Sequence, residues 1–322
     1  MKRRLILASA TTVMATVFAA WLGISARAQD PQVEIAVVTH GQASDPFWTV
    51  VRNGINEAAR ETGTRVSYRA PDVYDARRMR DLIDAVVTSR PDGLVVSIPD
   101  AQVLAPALGR AKRAGIPVLA INAGADSYRR LGGLVFVGQA EYDAGFAAGR
   151  RMAAAGVRNA ICVQHQPGVA VLDQRCRRFA AGLARRGGKT RVVAVRLQNQ
   201  RDAVRRISDA LAARSVDGIL TLGPGGATPA LAALRATRRL GKVDFGTFDL
   251  APDILRAVRA GHILFAIDQQ PFLQGYLPVV LLTQYERYGL LPAAGSHLKT
   301  GPHFVTKREA ARVLRLTRQG IR

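Results

Sequence analysis

Cysteine is almost absent from this chain: 322 residues carry only Cys162 and Cys176. Two thiols with no nearby pair of histidines fall short of the four ligands that a structural zinc takes, so a cysteine-built metal centre is excluded. Acidic residues are also scarce, 24 against 46 lysines and arginines. Aromatics make up 6% of the residues, and neither a helix-turn-helix nor a base-stacking platform accompanies the basic excess. The glycine-rich Gly223-Pro224-Gly225-Gly226 is not followed by Gly-Lys-Ser or Gly-Lys-Thr, which speaks against a nucleoside-triphosphate loop. Beyond residue 28, no run is both long and apolar enough to span a bilayer.

What is present begins with a leader. Lys2, Arg3 and Arg4 precede an almost uncharged apolar run, Leu5 to Ile24, and Ser25-Ala26-Arg27-Ala28 offers small residues at a cleavage site. The run is long enough to serve as an uncleaved anchor, but its Ala-Arg-Ala ending favours a signal peptide of residues 1–28. The expected compartment is the periplasm, where ATP and NAD are scarce, and this points away from a dehydrogenase or kinase. The formal charge is +22, and removal of the four basic leader residues leaves +18. Arginine pairs such as Arg150-Arg151, Arg185-Arg186 and Arg205-Arg206 are spread over many helices, so they read as solvated faces, with attraction to an anionic membrane surface as a side effect. No nucleic-acid partner is expected. In an oxidising compartment, Cys162 and Cys176 either form a disulfide or remain two close thiols.

Behind the leader, β-branched runs and amphipathic stretches alternate. Strands are predicted at 33–39, 65–69, 93–98, 117–121, 134–137, 159–164, 191–196, 218–222, 243–248 and 263–267. Helices are predicted between them, from Asp45-Pro46 onward, and a long one over 272–288 closes the regular part. Gly and Pro punctuation precedes several of the strands, as in Thr62-Gly63 and Arg90-Pro91. Ten strands alternating with helices specify an α/β protein of two doubly wound parallel-sheet lobes.

Ligands of open parallel sheets bind beyond the carboxyl ends of the strands. Residues falling there are Asp45, Phe47, Trp48, Asp100, Asn122, Gln164, His165, Gly223, Asp249, Asp268 and Gln269. Carboxylates and amides can accept paired hydroxyls while an aromatic face covers the C–H side of a ring, which is the chemistry a sugar needs. Plainer roles stand beside these: Asp45 and Asp249 as helix caps, Phe47 and Trp48 as core, and His165 as a rim residue. Two adjacent aromatics at a helix start are not expected to face the same core. An exported hydrolase using Asp173, Asp249 or His165 is the enzymatic alternative, but no serine or cysteine nucleophile is visibly paired with His165.

Several segments, in order, resemble the periplasmic sugar-binding proteins of ABC importers related to the ribose-binding protein, in their simple-sugar subgroup. Ser44-Asp45-Pro46-Phe47-Trp48 is similar to the segment whose aromatics sandwich the sugar, and Pro117–Asn122 to a strand ending in a ligand residue. Leu172–Phe179 resembles the segment that supplies an arginine, here Arg175, with Asp173 beside it. Phe248-Asp249-Leu250 resembles Phe-Asp-Gly, and Ala266–Pro271 the crossover whose glutamine, here Gln269, reaches the sugar. Asn122-Ala123-Gly124 stands where Asp-Arg is usual, and Gly223 where Asn is common.

The resemblance implies the type I periplasmic-binding fold with a three-crossover hinge. The expected lobes are 33–137 plus 270–300 and 138–269 plus 301–322. It also implies capture of a monosaccharide or polyol by a monomer without cofactor, delivery to an ABC transporter permease with peripheral contact at the membrane complex, and no catalysis. A ligand-sensing module that presents its closed form to a chemoreceptor or sensor kinase is the alternative.

Overall fold

The computed structural model describes residues 32–41, 46–167, 169–196, 199–213 and 215–322. The leader and Asp45 lie outside them. Twelve strands among these residues form two sheets of six.

The first sheet begins with β1 (Glu34–Val38), α1 (Pro46–Thr62), β2 (Arg65–Arg69), α2 (Ala76–Ser89), β3 (Gly93–Val96), α3 (Ala101–Arg113), β4 (Val118–Ile121) and β5 (Gly133–Gln139). The second follows with α4 (Glu141–Ala155), β6 (Asn159–Gln164), α5 (Ala170–Ala184), β7 (Lys189–Ala194), α6 (Gln200–Ala212), β8 (Gly218–Thr221), α7 (Pro224–Ala236), β9 (Asp244–Phe248), α8 (Pro252–Ala260) and β10 (Phe265–Asp268). The chain then returns through α9 (Pro271–Tyr288) and β11 (Ser296–Gly301) to the first sheet. It ends in the second lobe with β12 (His303–Val305) and α10 (Lys307–Arg318).

Strand order is β11-β5-β4-β3-β1-β2 in the first sheet and β12-β10-β9-β8-β6-β7 in the second. Every pairing is parallel except β10 with β12. The chain therefore passes between sheets three times, after β5, after β10 and between β11 and β12.

Two-residue periodicity explains why each sheet is covered on both sides. In β1, Ala36 and Val38 enter one buried cluster while Ile35 and Val37 enter the opposite one. Four consecutive buried apolar residues, Ile35–Val38, fit a parallel sheet flanked by helices. Helix starts are fixed by side-chain caps: Asp75 accepts from the amides of Arg77 and Arg78, and Asp100 from those of Gln102 and Val103. Helices α1 and α9 touch backbone to backbone, since a Cβ on Gly54 would lie 2.1 Å from the Phe272 carbonyl and one on Gly275 2.0 Å from that of Val51. No helix of the described residues is long and apolar enough to cross a membrane.

The sequence expectation of ten strands is two short. β11 is a largely polar edge strand and β12 is an edge strand of only three residues, so neither carries an apolar run, and α10 extends regular structure beyond residue 288. Helix α7 starts at Pro224, so the glycine-rich stretch is a first helical turn and not a loop.

Candidate functional site

Three residues that end strands or open a helix near the crossovers sit in the left-handed region: Asn122 after β4 (φ 61°), Asp249 after β9 (φ 61°) and Gln270 before α9 (φ 55°). Non-glycine residues adopt that conformation only when their surroundings impose it, and such strain gathers at functional sites. Asn122 and Asp249 line one cleft of about 170 Å³ between the two sheets.

Hydrogen bonds join these residues across the chain crossings. Asn122 Nδ2 donates to Gln269 Oε1 at 3.2 Å, and Gln269 Nε2 donates to Asp249 Oδ1 at 2.6 Å. Gln274, fully buried on α9, fixes the Gln269 carboxamide by donating to its backbone carbonyl and Oε1, each at 3.0 Å. The same amide reaches Thr300 Oγ1 at 3.1 Å on β11, tying the second and third crossings together.

Arg175 on α5 is the charge at the floor. Its Nε and Nη2 meet Glu141 Oε2 and Oε1 at 2.6 and 2.7 Å, a two-pronged pair with both side chains about 95% buried. Its Nη1 donates to the Leu222 carbonyl at 3.1 Å and stands 3.8 Å from Asp249 Oδ2. The Phe248 ring lies under the guanidinium at 4.4 Å. Burial opposes the charge, but Glu141 and then Asp249 outweigh it, so Arg175 stays cationic with its pKa above the usual arginine value. A disulfide between Cys162 on β6 and Cys176 on α5, with Cα atoms 5.9 Å apart, pins this helix to the sheet next to Arg175.

Two histidines face the cleft. His40 is held down at about 4, first by burial and then by the Arg175 charge, and its Nδ1 lies 2.8 Å from Ser97 Oγ. His165 is lowered to about 4 by the same two causes in the same order, and its buried Nδ1 has no hydrogen-bond partner among the described residues. Both are neutral at pH 7. Ser97 is fully buried and does not line the cleft. Gly223 leaves room there: a Cβ on it would lie 3.2 Å from the His165 ring and 3.5 Å from Asp249 Oδ2.

Of the residues singled out in the sequence, Phe47, Trp48, Asn122, His165, Arg175, Gly223, Asp249 and Gln269 line the cleft together. Asp100 does not; its carboxylate caps α3. Asp173 does not either, because it accepts from Gln164 Nε2 at 2.7 Å. Phe47 and Trp48 correct the expectation that they face different environments. Both belong to one buried cluster, edge to face at 5.1 Å, while still lining the cleft. Gly41 makes this possible, since a Cβ there would lie 2.2 Å from the indole. Sequence reasoning missed His40 and Glu141. The strand-end rule applied to β1 and β5 singles out both.

Among the described residues, no three His, Cys, Asp or Glu side chains are grouped to hold a metal ion. The arrangement instead offers oriented amide and carboxylate acceptors, a neutralised cation and two aromatic rings. These are groups that bind hydroxyls and ring C–H faces.

Residues 35–289 match the family model described as periplasmic binding protein domain. A crystal structure of a carbohydrate transporter from Acidothermus cellulolyticus in complex with myo-inositol is 33% identical, with a TM-score of 0.84 over 91% of this chain and 100% of that one. A solute-binding protein of an ABC transporter from Actinobacillus succinogenes with bound D-allose is 20% identical and shares the fold, with a TM-score of 0.76 over 87% and 100% of the two chains. The xylose/arabinose-binding protein of Sulfolobus acidocaldarius is 25% identical over 86% of this chain and 72% of its own length.

Proposed function

The chain belongs to the periplasmic binding protein domain family, and from that premise we propose that it captures a neutral monosaccharide or cyclic polyol between its lobes and delivers it to an ABC transporter permease. The carrying observation is the chain of hydrogen bonds from Asn122 through Gln269 to Asp249, which presents acceptors from both sheets to one cleft. Phe47 and Trp48 supply the apolar face that a sugar ring needs.

The electrostatics favour an uncharged ligand. With both histidines neutral, the ionised groups are Arg175, Glu141 and Asp249, and the two carboxylates already answer the one guanidinium. A sugar acid would bring its carboxylate against Asp249 with no further arginine or lysine among the described lining residues to meet it. A neutral ring donates hydroxyls to Asp249 and to amide oxygens instead, each such bond to a charged group contributing about 1.5–3 kcal/mol. A few of them reach micromolar affinity, about −8 kcal/mol, after the cost of ordering. Closure about the three crossings buries the ligand, and the closed form is what the permease recognises. The protein acts as a monomer in the periplasm after loss of residues 1–28.

Intrinsic fluorescence tests this directly, because Trp48 is the sole tryptophan once Trp21 leaves with the leader. A panel of pentoses, hexoses and myo-inositol, set against gluconate and glucuronate, should give saturable changes only among neutral members, with matching thermal stabilisation. Silence from every neutral member, or tighter binding of an acid, would contradict the reading.

A further inference from the structure

A second concave surface lies on the second lobe and shares no residue with the sugar cleft. It is a groove of about 390 Å³ between α4 and α5, rimmed by Arg150, Arg151, Arg185 and Arg186. The helices approach closely because of two glycines. A Cβ on Gly149 would lie 2.2 Å from the Phe179 carbonyl, and one on Gly182 the same distance from that of Phe146. That contact leaves a floor of alanine methyls and the Phe304 ring below the guanidinium groups.

Several helical arginines elsewhere are paired with carboxylates: Arg60 with Glu57, Arg110 with Asp84, Arg205 and Arg206 with Asp202. The groove instead gathers four arginines around one concave surface. No lining residue is acidic, and none of the four arginines forms an ion pair with a described carboxylate. Aromatic rings stand near two of them instead, Arg151 over Phe304 at 5.2 Å and over Phe265 at 5.8 Å, and Arg185 over Phe146 at 5.8 Å. Ring faces attract a guanidinium without neutralising its charge, so its donors stay available to an oxyanion.

We infer that this groove docks the phosphate diester headgroups of an anionic phospholipid surface. Forked guanidinium donors match phosphate oxygens. The exposed rim and the methyl and ring floor suit a headgroup with its glycerol carbons better than a small soluble anion, which enclosed donors would serve. The +18 charge behind the leader adds long-range attraction to an extended anionic plane. A delivery protein held there searches for its permease along the membrane face.

Co-sedimentation with vesicles of phosphatidylglycerol and phosphatidylcholine in equal parts, against phosphatidylcholine alone, tests the inference. The protein should bind only the anionic vesicles. The R150A/R151A/R185A/R186A variant should lose partitioning by about tenfold or more, and R77A/R78A/R312A/R315A, which removes the same charge from exposed arginines elsewhere, by about twofold. Unchanged melting temperatures confirm that both variants fold. Equal losses in the two variants, no binding by the unmodified protein, or full release by millimolar glycerol phosphate would each overturn it. The last result would assign the groove to soluble phosphate esters.

Discussion

Replacing Glu141 with glutamine removes one charge from a buried pair and changes almost nothing in volume. Glu141 and Arg175 are each about 95% buried and meet through two hydrogen bonds of 2.6 and 2.7 Å. Breaking a buried pair from one side costs about 3–5 kcal/mol, because the remaining charge has lost both water and partner. The cost of Glu141→Gln should fall at the lower end, about 3 kcal/mol, since glutamine keeps one acceptor and Arg175 retains Leu222 and Asp249. Arg175→Met leaves Glu141 with Gln139 as its remaining donor at 3.0 Å, and should cost at least as much. The double variant carries neither orphan and should be more stable than the sum of the single effects predicts, by about 1–3 kcal/mol. Equilibrium urea denaturation with slopes compared across all four proteins measures this. A Glu141→Gln variant within about 0.5 kcal/mol of the parent would refute the buried-charge reasoning, as would strict additivity in the double variant.

Acid should weaken the fold through His40 and His165. Their folded values lie near 4 against 6.5 unfolded, so the unfolded chain binds more protons between those values. Stability is then full above about pH 6.5 and declines as pH falls toward 4, by about 2 kcal/mol for each partly buried ring. A denaturation series from pH 7.5 to 4 checks this, and a decline unchanged in His40→Gln/His165→Gln would count against it. Reduction of Cys162–Cys176, which closes a loop of 14 residues, should lower stability by about 3 kcal/mol, measured by melting with and without reductant. Gly275→Ala forces a methyl into the Val51 carbonyl and should cost about 1–3 kcal/mol in the same assay, whereas Gly115→Ala meets no atom within 4 Å and costs only its backbone strain.

Central strands such as β3, β4 and β8 were legible because both of their faces are covered, leaving continuous apolar runs, while the edge strands β2 and β7 are more polar with few buried residues. β11 and β12 were not legible. As edge strands they need few apolar side chains, and Ser296–Gly301 holds its place through pairing with β5. Helix α10 did carry a signal: Thr306 and Glu309 form a reciprocal cap, with Ala310, Val313 and Leu314 buried at helical spacing. Its dense arginines hid that stripe.

At the site, the strand-end rule found Asn122, Asp249 and Gln269 because each directly follows a strand, with Asn122 and Asp249 in left-handed turns, and all three line the cleft. The rule misplaced Asp100, whose short carboxylate was taken up by the amides of its own helix. Gln274 lay beyond it altogether, being a mid-helix residue whose role appears only when three chain crossings meet.

Calorimetric titration of the leader-free protein with myo-inositol and neutral monosaccharides tests the central claim, alongside Asp249→Asn and Gln269→Leu. The account predicts one ligand per chain at micromolar affinity, weakened about 10- to 150-fold in Asp249→Asn by loss of a charge-assisted bond. No heat from any neutral ligand, or affinity indifferent to Asp249 and Gln269, would contradict it.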